Sequence, residues 1–296
     1  MPQLFKRVIE ASFLKYNNQV MSGPFVTNEI VTIKNFRMSF DIKKTSSTDP
    51  NTCTFTAYNL SNNTTQKLND DKGLLTIKAG YEKANNIETI FIGNVSLTKI
   101  IKDSTETIVT IEARDGELPL LITRDSISFK EGITVKQILK SIIKKFGIAI
   151  KTNIEEVNFI NKNYSSGFAY MGELKGLLDK LAKDAGLSWS IQNNELKIYN
   201  KNSTDKSTQI IVNQNTGLIG APEKIKFKKT SVTNEIEVNG YIVNFLLQPK
   251  AEPGGSMLLS SQNVGDNKEF KIETVAHVGD NFDGDFKTTA EVTEIG

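Results

Sequence analysis

Reactive side chains are scarce in this chain. It has one cysteine, Cys53, which excludes an internal disulfide framework and removes the usual thiolate zinc sites. Cys53 lies in the alternating run Thr52 to Leu60, and that setting reads as a buried core thiol. It has one histidine, His277, so no histidine cluster can bind a metal, and any histidine-dependent triad would rest on this one ring. No glycine-rich phosphate loop, dinucleotide fingerprint or Gly-x-Ser-x-Gly elbow is present. No stretch approaches the roughly 18 apolar residues of a membrane span, and residues 1–19 lack the apolar core of a signal peptide. A soluble protein made in a cytoplasm, with no membrane partner, is the expectation. A dominant charge is missing too: 36 basic and 34 acidic residues are interleaved to a net +2, which predicts no nucleic-acid partner.

Three charged stretches are weighed and set aside. In Asp280-Asn281-Phe282-Asp283-Gly284-Asp285, alternating calcium ligands would fall on Asp280, Phe282 and Gly284, two of which have no side-chain oxygen, so a turn-rich loop is expected. Glu155-Glu156 reads as a solvated loop rather than a catalytic pair. Lys224 to Lys229, KIKFKK, alternates like the wet face of a strand, and edge protection or a phosphate-facing surface would each explain it. No catalytic residue, cofactor or metal is expected.

What the chain does have is strand after strand around one helical stretch. Its 296 residues exceed what one core usually serves, so two or three domains are expected. From Thr134 to Tyr199, two helices are marked. Val135, Ile138, Leu139, Ile142, Ile143 and Phe146 share one face of the first, with a Thr134/Gln137 capping box before it and Gly147 after it. Leu174, Leu177, Leu178, Leu181, Ala182 and Ala185 share one face of the second, which stops at Gly186. A hairpin follows, Leu187 to Gln192 and Glu195 to Tyr199, turning at Asn193-Asn194.

On either side the period is two. Phe36, Met38, Phe40 and Ile42 alternate, as do Cys53, Phe55 and Ala57, then Leu75, Ile77, Ala79 and Tyr81. Thr89 to Ile101 and Thr105 to Ala113 form a further pair. Leu4 to Tyr16 has no clean period and is read as an N-terminal arm or a first edge strand. Lys43 to Asn51 and Ser61 to Gly73 are rich in turn formers, Glu117 to Ser128 reads as a link, and Ile154 to Gly172 as a long loop or hairpin. After the polar break Lys201 to Ser207, β pattern resumes to the end. The fold class expected is mainly β with a central α+β module, divided as residues 1–116, 117–200 and 201–296. Val26-Thr27-Asn28-Glu29-Ile30 recurs as Val232-Thr233-Asn234-Glu235-Ile236, which is either coincidence or the mark of two related β domains.

Several short motifs, in succession, carry a family resemblance. They are Asn59-Leu60-Ser61, Gly80-Tyr81 within Ala79-Gly80-Tyr81, Gly93 within Ile90 to Val95, and Asp115-Gly116 within Ala113 to Gly116. Trp189 within Leu187 to Ile191 follows, then His277, Gly279 and Asp280 within Val275 to Asp280, and Gly284 within Gly284 to Phe286. In this order they resemble phage baseplate hub proteins of contractile tails. The resemblance implies a homotrimer in the baseplate of a virion tail, assembled in the host cytoplasm. Two tube-like antiparallel β-barrel domains would flank the helix-hairpin module, joining the tail tube to a central spike and lining a channel. Tail tube protein, spike protein and other baseplate proteins would be its partners, with DNA only as transient channel cargo. A carbohydrate-binding tail protein using Trp189, or a cell-wall hydrolase subunit, is the competing reading. Against the first, Trp189 sits in an alternating strand, where burial against the helices at Leu139 and Leu178 is expected.

Overall fold

In this computed structural model, the described residues are 6–15, 29–69, 73–103, 105–115, 124–145, 162–200, 204–230 and 235–295. The first part contains β1 (Arg7–Lys15), β2 (Glu29–Ile33), β3 (Met38–Thr45), β4 (Asn51–Tyr58), α1 (Asn62–Leu68), β5 (Gly73–Tyr81), β6 (Glu88–Lys102) and β7 (Thr107–Asp115). The middle contains β8 (Arg124–Phe129), β9 (Ile133–Thr134), α2 (Val135–Lys145), β10 (Asn163–Tyr164), β11 (Phe168–Glu173), α3 (Leu174–Ala185), β12 (Leu187–Gln192) and β13 (Glu195–Asn200). The last contains β14 (Asp205–Val212), β15 (Leu218–Thr230), β16 (Glu235–Leu246), β17 (Gly255–Ser261), β18 (Gly265–Asp280) and β19 (Phe286–Glu294).

The chain is mainly β. The strands of the first and last parts form one 13-stranded sheet in the order β15-β16-β19-β18-β3-β4-β7-β6-β5-β1-β2, with β17 beside β18 and β14 parallel to β17. The splice between the two parts is the antiparallel pairing of β18 with β3, from Asp280 opposite Ser39 to Thr274 opposite Thr45. Among the described residues no ladder closes this sheet into a barrel.

Three apolar clusters lie along it. Phe13, Phe55 and Phe91 are fully buried in the first, each stabilising by about 2–3 kcal/mol through transfer from water. The second is drawn wholly from the middle part, between Ile127 and Ile198, and the third from the last part, between Ile210 and Val292. Leu247 and Phe286 cross over: they belong to the last part in sequence and to the first cluster in space.

Local signals explain most elements. Gln137 N donates to Thr134 Oγ1 and Thr134 N to Gln137 Oε1, the reciprocal capping box at the start of α2. Gly186 ends α3 at φ 69°, and Asn193 and Asn194 turn the β12–β13 hairpin at φ 52° and 65°. Trp189 is buried with Leu139 and Leu178, and its Nε1 donates to Asp179 Oδ1 at 2.9 Å.

Other expectations need correction. β1 is not an edge strand, since it pairs with β2 on one side and β5 on the other. The turn-rich stretch after Ser61 contains α1, which has no apolar period and is instead started by Ser61 Oγ accepting from Thr64 N. Residues 124–128 of the supposed link fall in β8, which pairs with β11. Phe36 is 40% exposed in the loop before β3 rather than on its inward face. Phe146, Gly147, Glu155-Glu156 and most of both copies of the Val-Thr-Asn-Glu-Ile echo lie outside the described residues.

Candidate functional site

The alternation of β3 and β4 runs one step further than the apolar residues do. After Met38, Phe40 and Ile42 the next inward position is Lys44, and before Cys53, Phe55 and Ala57 the preceding one is Asn51. Both are buried; Lys44 meets the Asn193-Asn194 turn, and Asn51 the two strand residues just before it. Lys44 Nζ donates to Asn193 Oδ1 at 3.2 Å and lies 4.0 Å from Glu252, a residue of the segment between β16 and β17. Asn51 Nδ2 faces Asp115, the carbonyl of Ile191 and Gln192 Oε1, the last two at 3.0 Å. Asp115, at the end of β7, accepts from the main-chain N–H of Asn193 and, at 3.0 Å, from that of Asn194. Asn193 Nδ2 donates to Glu252 Oε1, and Gln192 Nε2 to the carbonyl of Thr45. One hairpin turn thus joins all three parts of the chain through polar groups.

Burial dominates the electrostatics of this joint. It lowers the pKa of Lys44, against the pull of Glu252 and Asp115. Burial pushes the Asp115 carboxyl up to about 6, opposed by the two turn amides, Lys44 and Asn51. Neighbouring His277 is fully buried, its Nδ1 3.0 Å from Thr288 Oγ1. Burial and the charge of Lys44 hold its pKa down to about 3.

These two shifts have opposite signs in stability. Folded His277 binds its proton more weakly than unfolded histidine, so stability is lost as pH falls from about 6.5 towards 3. Folded Asp115 binds its proton more tightly than the unfolded carboxyl, so stability is gained as pH falls through about 6. Between about pH 6 and 4 the two offset each other. Asp115→Asn removes the offset, and its urea midpoint should fall from pH 7 to pH 5 more steeply than wild type by the equivalent of about 1 kcal/mol. Parallel midpoints would refute this.

A second joint is aromatic and lies at the splice. Phe286 opens β19 and is met edge-on by Tyr81 at 5.3 Å and by Phe40 at 6.1 Å, with the Arg7 guanidinium 5.5 Å from its centroid. Tyr81 Oη donates to the carbonyl of Phe286 at 3.3 Å. Gly279 lies against these rings: a Cβ there would sit 2.5 Å from Phe40 Cζ. Arg7 Nη1 donates to the carbonyls of Asp280 and Gly284, at 3.2 and 2.8 Å.

The loop beyond Gly279 is held from within. Asp280 Oδ1 accepts from Phe282 N and Asp283 N, while Oδ2 takes Arg37 Nη2 at 3.3 Å. Burial of Asp280 works against its charge, but these donors hold its pKa below the usual carboxylate range. The carboxylate is thus committed to the turn, in keeping with a loop rather than a cation site. Among the described residues no group of three or more His, Cys, Asp or Glu is placed to hold a metal.

The motif positions therefore divide. Tyr81, Gly279, Asp280 and Gly284 come together at the aromatic joint, Gly80 packs next to it against the β5–β6 connection, and Asp115 anchors the polar joint, with His277 beside it. Asn59, Leu60 and Ser61 lie apart: Asn59 adopts φ 55° and accepts from Thr107 N, Leu60 enters the first core, and Ser61 caps α1. Gly93 packs under Phe91 within β6, and Trp189 belongs to the middle core. Gly116 lies outside the described residues. Sequence reasoning missed Lys44, Asn51, Gln192 and Glu252. For the first two a signal was present, since each is a polar residue at an inward position of an alternating strand.

A family model described as "Baseplate hub gp41" matches residues 19–292. No curated protein matches the chain. Among solved structures, the 43 kDa tail protein of prophage MuSo2 from Shewanella oneidensis is similar at TM-score 0.58 and 12% identity, with 98% of this chain and 96% of that one covered. A tail protein from Neisseria meningitidis MC58 gives TM-score 0.59 and 9% identity, covering 98% and 97%. An E. coli component of the type VI secretion system, itself described as structurally similar to the T4 tail proteins gp27 and gp5, gives TM-score 0.58 and 12% identity, covering 88% and 74%. At these identities the structures speak for the fold.

Proposed function

The chain belongs to the baseplate hub gp41 family, and from that membership we propose that it is a structural trimer on the axis of a phage or phage-like tail, joining the tail tube to the central spike. The observation that carries this reading is the β3–β18 splice, which sets two strand groups, each wrapped around its own core, side by side in one sheet. Taken as two tube-like domains, residues 1–116 and 201–296, they would give six similar units from three chains, around a channel through which DNA passes. Residues 117–200 form the module between them. Interfaces between copies use strands of the tube-like parts, because the apolar faces of α2 and α3 are spent on the middle core.

Of the motif positions, Tyr81, Asp115, Gly279, Asp280 and Gly284 act within the chain at the two joints between its parts, and no catalytic step is assigned. Trp189 is only 3% exposed, so it offers no stacking face to a sugar. Electron-microscopic reconstruction of the assembled particle tests the proposal. Three copies on the axis between tube and spike are expected; six copies, or a peripheral monomer, would overturn it.

A further inference from the structure

The middle part has a core of its own, and among the described residues the contacts that fasten its hairpin turn to the sheet are mostly polar. Around the Asn193-Asn194 turn the contacts are hydrogen bonds and a charge pair, supplemented by the Tyr199 ring lying against Gly254. No residue of the middle cluster belongs to either neighbouring cluster. Beyond the Tyr199 ring, opening these contacts frees polar groups that can be hydrated, whereas opening either strand group would expose a core. Asp115 and Lys44 are both ionisable groups taken out of water, and both regain hydration when the joint opens.

We propose that the middle part, from β8 to β13, is a detachable body that undocks from the sheet at the Asn193-Asn194 turn while its own core and both strand groups stay folded. The joint is then a latch with Asp115 as its catch. Undocking would let the angle between module and sheet change without unfolding either, a conformational freedom that the closed structure does not display.

Amide hydrogen exchange on the full chain reads this directly. Two amides report on the joint from the module's side, those of Asn193 and Asn194, bonded across it to Asp115, and the buried Lys44 amine reports from the sheet's side through its acylation by a water-soluble reagent. Amides and amine should respond to one shared opening with small denaturant dependence, while the amides of Ile111 in β7 and Leu178 in α3 exchange only by global unfolding. Asp115→Asn, which puts an NH2 donor where the turn amides need an acceptor, should speed both turn amides by about tenfold or more and leave the two core amides within about twofold. If that variant does not fold, Glu252→Gln should act in the same direction with a smaller effect. The proposal fails if Lys44 stays unlabelled while the turn amides exchange, since that is local fraying. It fails equally if all four amides exchange together, since the chain then opens as one unit.

Discussion

Phe286→Ala should destabilise the protein by about 3–5 kcal/mol, seen as a large fall in the urea midpoint. The ring is 3% exposed and fills space that three elements share, with Tyr81 from β5, Phe40 from β3 and the Arg7 guanidinium from β1 around it. Its neighbours are anchored in separate ladders and cannot collapse onto the vacancy. The loss also falls on the splice, because Phe286 is one of two residues by which the last part enters the first core. Phe286→Leu, which keeps most of the volume, should cost about 1.5 kcal/mol or less. Equal losses for the two substitutions would mean that the ring stacking, rather than the filled volume, is what matters.

Gly80→Val should be about as damaging, at about 3 kcal/mol or more, for a different reason. A Cβ at this position would lie 2.3 Å from the carbonyl oxygen of Asn86 and 2.8 Å from its carbon. These are main-chain atoms of the β5–β6 connection, and they cannot swing aside as a side chain would. Moving them would also break the bond from Tyr81 N to Asn86 Oδ1 at 2.8 Å, which sets the Tyr81 ring against Phe286. Gly80→Ala already carries that Cβ, so it should show most of the effect. A midpoint within error of wild type for Gly80→Ala would exclude the close approach.

Much of the fold is legible in the sequence where a period of two or 3.6 is unbroken. β3, β4, β5, β7 and both middle helices follow it, and the caps at Thr134 and Gly186 close where their chemistry says. α1 escapes because seven residues reading NNTTQKL carry no apolar stripe; one serine cap and burial of Leu68 make the helix instead. The joints are legible only in part. Gly80, Asp115 and Gly279 stand out as residues, but that Asp115 reaches a turn 78 residues on, or that Tyr81 and Phe286 touch across 205, depends on tertiary pairing that no local pattern encodes. The cross-over of Leu247 and Phe286 is hidden for the same reason.

The splice also bears on how the chain is made. Ser39 to Thr45 of β3 are paired with Thr274 to Asp280 of β18, so the ribosome releases β3 long before its neighbour exists. At bacterial rates of synthesis that interval is roughly 10–50 s, time enough for the first strand group to fold with one flank open to the crowded interior of the cell. That flank is not an inviting template. Asp41 and Lys43 point outward along it and Lys44 takes an inward place, so a stray strand seeking to add there meets three charges in the four residues from Asp41 to Lys44. The residues that make β3 a poor partner for strangers do not hinder β18, which arrives tethered and in register.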